Sequence, residues 1–260
     1  MSLRGILLDL DGVVYNSEQA IAGAAEAMQW LRNQGIPRLF VSNTTSRARS
    51  VLAEKLMRFG IEATADDILT PPIAAAEWLR GNGRRAVALF VRPAARADFA
   101  DLPLLPDDAE QGADYVVIGD LGVYWDFRTL NRAFRLLHHN PEAQLIALGM
   151  TRYWMAEDGI SLDVAPFVAA LEHATGRRPL VFGKPAKAFF HAATARLGLR
   201  PEEVLMVGDD VEADVRGAMA AGLRGALVRT GKFRSTDLET GQRPDLVMDS
   251  VTDLPRCWPR

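Results

Sequence analysis

The sequence contains almost no cysteine, since Cys257 is the single one among 260 residues. A disulfide framework within the chain is therefore excluded, and we do not expect a metal site built on cysteine thiolates. Long apolar runs are also missing, because none approaches the roughly 18 residues that a membrane span requires. The N-terminus leads directly into a charged, strand-like segment without a signal-peptide pattern. Together these absences predict a cytoplasmic protein that does not associate with a membrane.

A large excess of charge is missing as well. The formal net charge is −3, so bulk electrostatics favours neither nucleic acid nor an anionic membrane as a partner. No G-x-G-x-x-G pattern follows a predicted strand, so the usual dinucleotide-binding fingerprint is absent. Five residues separate Gly225 from Gly231, and Phe233 follows Lys232 where a phosphate-binding P-loop has a hydroxyl residue. The sequence thus predicts neither a nucleic-acid partner nor either of these two nucleotide sites.

The chain does contain a regular alternation of apolar strand patterns and helix patterns with short connections. This alternation predicts an α/β fold with a Rossmann-like parallel sheet. Residues 1–80 and 180–260 share the pattern and are predicted to form one core domain. Residues 81–179 carry strands and helices of their own and are long enough for an inserted α/β domain. The predicted strands are residues 6–8, 38–41, 86–91, 115–118, 145–148, 180–182, 204–207 and 225–228.

The first predicted strand ends in two aspartates, Asp9 and Asp11, followed by Gly12. At the carboxyl end of a buried parallel strand both carboxylates can point into one cavity, and open α/β sheets bind their ligands at that edge. An uncompensated pair of carboxylates is costly there, so the pair indicates a cation. The alternative interpretation is a solvated turn capped by aspartate, which this short motif alone does not exclude.

Further polar groups follow three other predicted strands. Ser42 and Asn43 offer a hydroxyl and backbone N–H groups to an anion, although a plain helix N-cap cluster would look the same. Lys184 lies between a glycine and a proline that restrict its loop. Residues 208–214 read Gly-Asp-Asp-Val-Glu-Ala-Asp and precede a helix predicted from about Asp214.

The acidic residues of this last segment also have two interpretations. A cluster of carboxylates at a strand end is typical of a cation site. Negative charge at the start of a helix also compensates the helix dipole, and that interpretation accounts for Asp210 and Glu212. Within the insert, residues 149–159 mix aromatic, cationic and turn residues. This segment is either a substrate-facing loop or a hairpin that turns at Glu157, Asp158 and Gly159.

Taken together and in this order, the four strand ends resemble the four motifs of the haloacid dehalogenase superfamily, in its phosphatase branch. The motifs are residues 9–12 (DxDG), Ser42, Lys184 and residues 208–214 (GDDxxxD). The long insert between the second and third motifs resembles the type-two α/β cap of that superfamily. Residues 151–176, 183–185 and 230–234 resemble the branch that contains phospholysine phosphohistidine inorganic pyrophosphate phosphatase.

The chemistry of phosphate-ester hydrolysis assigns roles to these residues. The reaction needs a nucleophile, a proton donor for the leaving oxygen, and positive charge around an anionic transition state. Asp9 is the predicted nucleophile, which would form an aspartyl phosphate, and Asp11 the predicted acid and then base. Ser42 and Asn43 would bind the phosphoryl oxygens, and Lys184 would pair with them and offset the charge of Asp9.

The resemblance further implies Mg²⁺ as the cofactor. Its ligands would be the Asp9 carboxylate, the Asp11 backbone carbonyl and the Asp209 carboxylate. Asp214 and Asp210 would act through water or by orienting the direct ligands. The substrate would be a small phosphorylated molecule.

The sequence leaves other properties of the protein open. A phosphomutase, a haloacid dehalogenase-type hydrolase and a catalytically silent binding module are the alternatives to a phosphatase. Asp11 argues against a dehalogenase, since a departing halide needs no proton donor and those family members lack the second aspartate. The candidates for substrate contacts in the cap are Arg152, Tyr153, Trp154 and Asp163. The apolar cap helices permit a homodimer without requiring one.

Overall fold

The computed structural model describes residues 2–83, 85–156, 159–239 and 241–258, with the backbone alone at residues 154–156. In chain order, strands β1 to β14 are Gly5–Asp9, Tyr15–Asn16, Gln19–Ala20, Arg38–Val41, Ile68–Leu69, Val87–Phe90, Tyr115–Ile118, Gln144–Ala147, Tyr153–Ala156, Gly159–Leu162, Leu180–Val181, Val204–Gly208, Arg224–Val228 and Leu246–Met248. Helices α1 to α9 are Ala24–Asn33, Arg49–Arg58, Pro71–Gly81, Pro93–Arg96, Phe127–His139, Val164–Thr175, Lys187–Leu197, Gly217–Ala220 and Leu254–Cys257. A π-helix, Val211–Arg216, precedes α8.

The chain divides into two compact units. The first contains residues 1–42, 49–69 and 184–260, and its sheet has the order β14-β13-β12-β1-β4-β5 with parallel pairing throughout. Strand β1 lies between β12 and β4, with Leu8 opposite both Val207 and Phe40. All five residues of β1 are buried, which explains why its sequence is continuously apolar up to Asp9 rather than alternating.

The second unit contains residues 43–48 and 70–183. Its four-stranded sheet has the order β11-β8-β7-β6, again parallel. Trp125 packs between the rings of Phe90 and Phe167, at centroid distances of 5.9 and 4.5 Å. Helix α3 belongs to this unit, because Trp78 lies against Tyr115 and Phe182. The predicted domain bounds at residues 80 and 180 stay a proposal.

The predicted α/β class with a parallel Rossmann-like sheet is confirmed. Several short local features were not predicted. Strand β14 and the small hairpin of β2 and β3 are two or three residues long, too short to show an alternating pattern. The helix expected from about Asp214 begins three residues earlier and is a π-helix.

The segment at residues 149–159 leads into an antiparallel hairpin, in which Tyr153 pairs with Leu162. The backbone of this segment therefore agrees with the hairpin, one of its two interpretations from the sequence. Two of its predicted turn residues, Glu157 and Asp158, lie outside the described residues, as does the side chain of Trp154. Across the described part of the chain, every helix is too short or too polar to span a bilayer.

Candidate active site

The site begins at the carboxyl ends of β1 and β12. These strands are parallel neighbours, and β4 pairs with the other side of β1, so the chain leaves β1 in one direction and later returns on the opposite side. Such a reversal of strand order opens a crevice at the carboxyl edge of the sheet. Asp9 is the last residue of β1, and Asp209 directly follows β12. The topology therefore brings together two carboxylates that are 200 residues apart in the sequence.

A third carboxylate comes from the π-helix. Asp9, Asp209 and Asp214 can each present a carboxylate oxygen so that the three oxygens lie within 4.8 Å of one another. Asp214 is 1% exposed and accepts the Asp210 backbone N–H at 3.2 Å. The neighbouring Asp210 has a different role, because its Oδ1 caps the π-helix by accepting the N–H groups of Glu212 and Ala213. Asp210 thus lies at the helix start, as the dipole interpretation expects, and its Oδ2 is 3.5 Å from Lys232 Nζ.

Lys184 lies between two of these carboxylates. Its buried Nζ is 2.7 Å from Asp9 Oδ1 and 2.7 Å from Asp214 Oδ1. Burial lowers the pKa of Lys184, but the charges of Asp214 and Asp9 outweigh burial and raise this pKa above its ordinary value. The lysine is therefore a permanent cation. Burial raises the pKa of Asp9 against the opposing effect of Lys184, and it raises the pKa of Asp214 to about 6.

Asp209 is fixed by the backbone on one side only. Its Oδ2 accepts the Lys232 N–H at 2.7 Å, whereas the buried Oδ1 has no hydrogen-bond partner within the described residues. Burial raises the pKa of Asp209 to about 6. Gly12 and Gly231 both have positive φ and approach this carboxylate so closely that a Cβ at either position would lie under 3.0 Å from it. Only glycine combines this φ with so close an approach.

The charges and donor atoms of the cluster fit a divalent metal. With three ionised carboxylates and one ammonium, the buried cluster carries −3 + 1 = −2. Such an excess is unstable in a protein interior unless a cation or protons neutralise it. Hard oxygen ligands suit Mg²⁺, and Oδ1 of Asp209, for which the described part of the chain offers no hydrogen-bond partner, is an available ligand atom.

The remaining predicted site residues are placed as follows. The exposed Asp11 accepts the Ser17 backbone N–H through its Oδ1 at 3.0 Å. Ser42 directly follows β4 in the first unit, and its N–H donates to the Leu69 carbonyl at 3.1 Å. Asn43 belongs to the second unit. The structure thus joins Asp9, Lys184 and Asp209 into one cluster, whereas the predicted roles of Asp11, Ser42 and Asn43 stay predictions.

The cap candidates lie in the second unit. Arg152 and Tyr153 are exposed, and the Asp163 backbone N–H donates to the Arg152 carbonyl at 3.1 Å. Burial raises the pKa of Asp163.

Two contacts of the cluster were not predicted from the sequence. We expected Asp214 to act through water or by orienting the direct metal ligands; in the structure it contacts Lys184 directly, and its role toward a metal stays a prediction. Its position five residues after Asp209 was the available signal, but the π-helix that turns it inward was not predictable. The hydrogen bond from the Lys232 N–H to Asp209 was also not predicted, because the resemblance of residues 230–234 to the family does not indicate which backbone group faces the cluster.

Comparisons with known proteins agree with this arrangement. A family model described as haloacid dehalogenase-like hydrolase matches residues 6–103, and one described as HAD-hydrolase-like matches residues 181–254. Phospholysine phosphohistidine inorganic pyrophosphate phosphatase from Xenopus laevis is 36% identical over 256 residues, which cover 96% of this chain and 91% of that protein. Haloacid dehalogenase-like hydrolase domain-containing protein 2 from Bos taurus is 38% identical, covering 91% of this chain and 88% of that protein.

Among solved structures, the p-nitrophenyl phosphatase from Archaeoglobus fulgidus matches with a TM-score of 0.87 and 29% identity, covering 98% of this chain and 99% of that chain. The chain belongs to the haloacid dehalogenase-like hydrolases, in the phosphatase branch that carries an inserted α/β cap. The predicted recognition and enzyme class are therefore confirmed.

Proposed function

We propose that the protein is a Mg²⁺-dependent phosphohydrolase that acts through an aspartyl phosphate on Asp9. The observation that carries this proposal is the cluster in which Asp9 lies 2.7 Å from the buried Lys184 and shares a potential ligand position with Asp209 and Asp214. A nucleophilic carboxylate, a fixed cation and further hard oxygen ligands are the groups that phosphoryl transfer requires.

In the first half-reaction, a carboxylate oxygen of Asp9 attacks phosphorus and the bond from phosphorus to the leaving oxygen breaks. Asp11 gives its proton to that oxygen. In the second half-reaction, a water attacks the aspartyl phosphate while Asp11 takes a proton from it. The bond between phosphorus and Asp9 then breaks and releases inorganic phosphate. Asp9 and Asp11 regain their starting protonation states, so the cycle is balanced.

Electrostatic support comes from Lys184 and the metal ligands. Lys184 offsets the charge of Asp9 and attracts the phosphoryl oxygens, and the Ser42 hydroxyl and Asn43 N–H would hold them. Mg²⁺ would be held by the carboxylates of Asp9 and Asp209 and by the Asp11 carbonyl, and it supplies positive charge to the phosphoryl group. Loss of one such contact lowers the rate by roughly 10²-fold or more.

The domain roles and the substrate class are part of the same proposal. Residues 1–80 and 180–260 would form the catalytic core, and residues 81–179 would form a cap that selects a small phosphorylated substrate. The names of the curated relatives include phospholysine, phosphohistidine and inorganic pyrophosphate, so we place these compounds first in a substrate panel. We further propose a cytoplasmic location.

The test is a phosphate-release assay with purified wild type, Asp9→Asn and Asp11→Asn, with Mg²⁺ or with EDTA. We expect activity only for wild type with Mg²⁺, because an amide in place of the Asp9 carboxylate is not a nucleophile. Mass spectrometry of rapidly quenched wild type should find a phosphoryl group on the peptide that contains Asp9. Circular dichroism of each variant controls for folding. Turnover by a folded Asp9→Asn protein, or activity unaffected by chelation, would contradict the proposal.

A further inference from the structure

The loop after Asp9 is held together by the backbone of Tyr15. The Gly12 N–H donates to the Tyr15 carbonyl at 2.7 Å, and the Tyr15 N–H donates to the Leu10 carbonyl at 3.2 Å. Both chain neighbours of Asp11 are therefore tied to the same residue. The position of the Asp11 backbone depends on where Tyr15 lies.

The carboxylate of Asp11 has a second anchor. Its Oδ1 accepts the Ser17 N–H at 3.0 Å. Ser17 has a φ of 50°, a left-handed conformation that a non-glycine residue adopts only where its surroundings hold it. Ser17 lies in the turn between β2 and β3. The direction of the Asp11 carboxylate therefore depends on the geometry of this turn.

Lys55 of α2 fixes both sides of that turn. Its Nζ lies 4.2 Å from the centroid of the Tyr15 ring and 2.9 Å from Glu18 Oε1. Lys55 is only 5% exposed, and a buried ammonium requires compensation by charge, hydrogen bonds or an aromatic face. The ring before Ser17 and the carboxylate after it provide that compensation.

We propose that Lys55 is a positioning residue for the acid and base role of Asp11, an inference that rests on the proposed function. Lys55 holds Tyr15 and Glu18, these two residues fix the turn that contains Ser17, and Ser17 orients the Asp11 carboxylate. The side-chain contacts described for Lys55 are with Tyr15 and Glu18 and not with the carboxylate cluster of Asp9. None of the motifs in the sequence marks it.

This role has a distinctive kinetic consequence. When the bond from phosphorus to the leaving oxygen breaks, the electron pair stays on that oxygen, and the proton of Asp11 neutralises it. A strongly basic leaving oxygen needs this proton, whereas a weakly basic one departs without it. A misplaced Asp11 therefore slows substrates with poor leaving groups selectively, and a general structural defect slows all substrates alike.

The experiment compares kcat/KM for 2,4-dinitrophenyl, 4-nitrophenyl and phenyl phosphate, which share a ring and differ in the basicity of the leaving oxygen. Lys55→Met should lower kcat/KM for phenyl phosphate by about tenfold and for 2,4-dinitrophenyl phosphate by less than about twofold. Glu18→Gln should change the ratio in the same direction. Glu54→Gln is the matched control, since Glu54 is exposed and lies on the same helix, and it should leave the ratio unchanged.

If Lys55→Met does not fold, as judged by circular dichroism, Glu18→Gln becomes the test variant. The Glu18 side chain is 70% exposed, so this substitution should leave the fold intact. Equal losses for all three substrates, or no loss in a folded variant, would overturn the role of Lys55. A failure of the proposed function is distinguishable, since wild type would then hydrolyse none of the phosphates or would do so without Asp9.

Discussion

The carboxylate of Asp209 should destabilise the metal-free fold at neutral pH. Its pKa is raised by burial from the ordinary 3.8 to about 6, so the folded state binds a proton more tightly than the unfolded chain does. The resulting loss of stability is complete above the folded pKa, shrinks as the pH falls from about 6 to about 4, and is absent below the unfolded value. The difference of about 2 pKa units corresponds to about 3 kcal/mol as an upper value.

Asp209→Asn removes this charge without changing the shape of the side chain. The amide oxygen of the variant can still accept the Lys232 N–H, and its amide nitrogen takes the position where Oδ1 has no partner among the described residues. That buried NH₂ is then unpaired, which offsets about 1–2 kcal/mol of the gain. We therefore expect the metal-free variant to exceed wild type by about 1–2 kcal/mol in free energy of unfolding at pH 7.5, while losing phosphatase activity.

The assay is urea unfolding in EDTA at several pH values between 4 and 8, for both proteins. The stability difference should decrease steadily toward acid pH. Saturating Mg²⁺ should reverse the order at pH 7.5, because a ligand that binds only the folded state stabilises it, and the variant lacks one predicted ligand. A difference that is independent of pH, or a variant less stable than metal-free wild type at pH 7.5, would refute the reasoning.

Three further predictions concern the same cluster. Lys184→Met should lower the free energy of unfolding by about 3–5 kcal/mol, because it leaves the buried carboxylates uncompensated. Urea unfolding measures this loss, and Lys184→Arg is the comparison variant that keeps the positive charge. Gly231→Ala should lower both stability and activity, since a Cβ there meets the Asp209 carboxylate. The control is Gly35→Ala, because Gly35 also has positive φ but has open space around it. This control should lower the free energy of unfolding by about 1 kcal/mol and leave kcat unchanged. EDTA should abolish phosphate release, and Mg²⁺ should restore it.

Much of this arrangement follows from the sequence, because parallel strands place their carboxyl ends along one edge. The apolar strands before Asp9 and Asp209 were recognisable, so their proximity could be predicted without coordinates. The sheet class, the family and the enzyme class, a phosphatase, are confirmed by the observed topology and the relatives. The individual roles of the site residues stay predictions.

Other features depend on geometry that a linear pattern does not contain. Asp214 contacts Lys184 from within a π-helix, and the sequence pattern of an ordinary helix gives no sign of that geometry. Helix α3 packs within the second unit through Trp78, a tertiary contact that the sequence pattern does not indicate. The sequence does not distinguish Lys55 from other helical lysines, because its contact with the Tyr15 ring is made through the tertiary fold.

The most direct test of the central claim is a crystal structure of the protein with Mg²⁺ and beryllium fluoride, an analogue of a phosphoryl group attached to a carboxylate. We predict metal density between the carboxylates of Asp9 and Asp209, and a beryllium fluoride group bonded to Asp9 within reach of Lys184. Metal bound away from this cluster, or the analogue attached to another residue, would contradict the account.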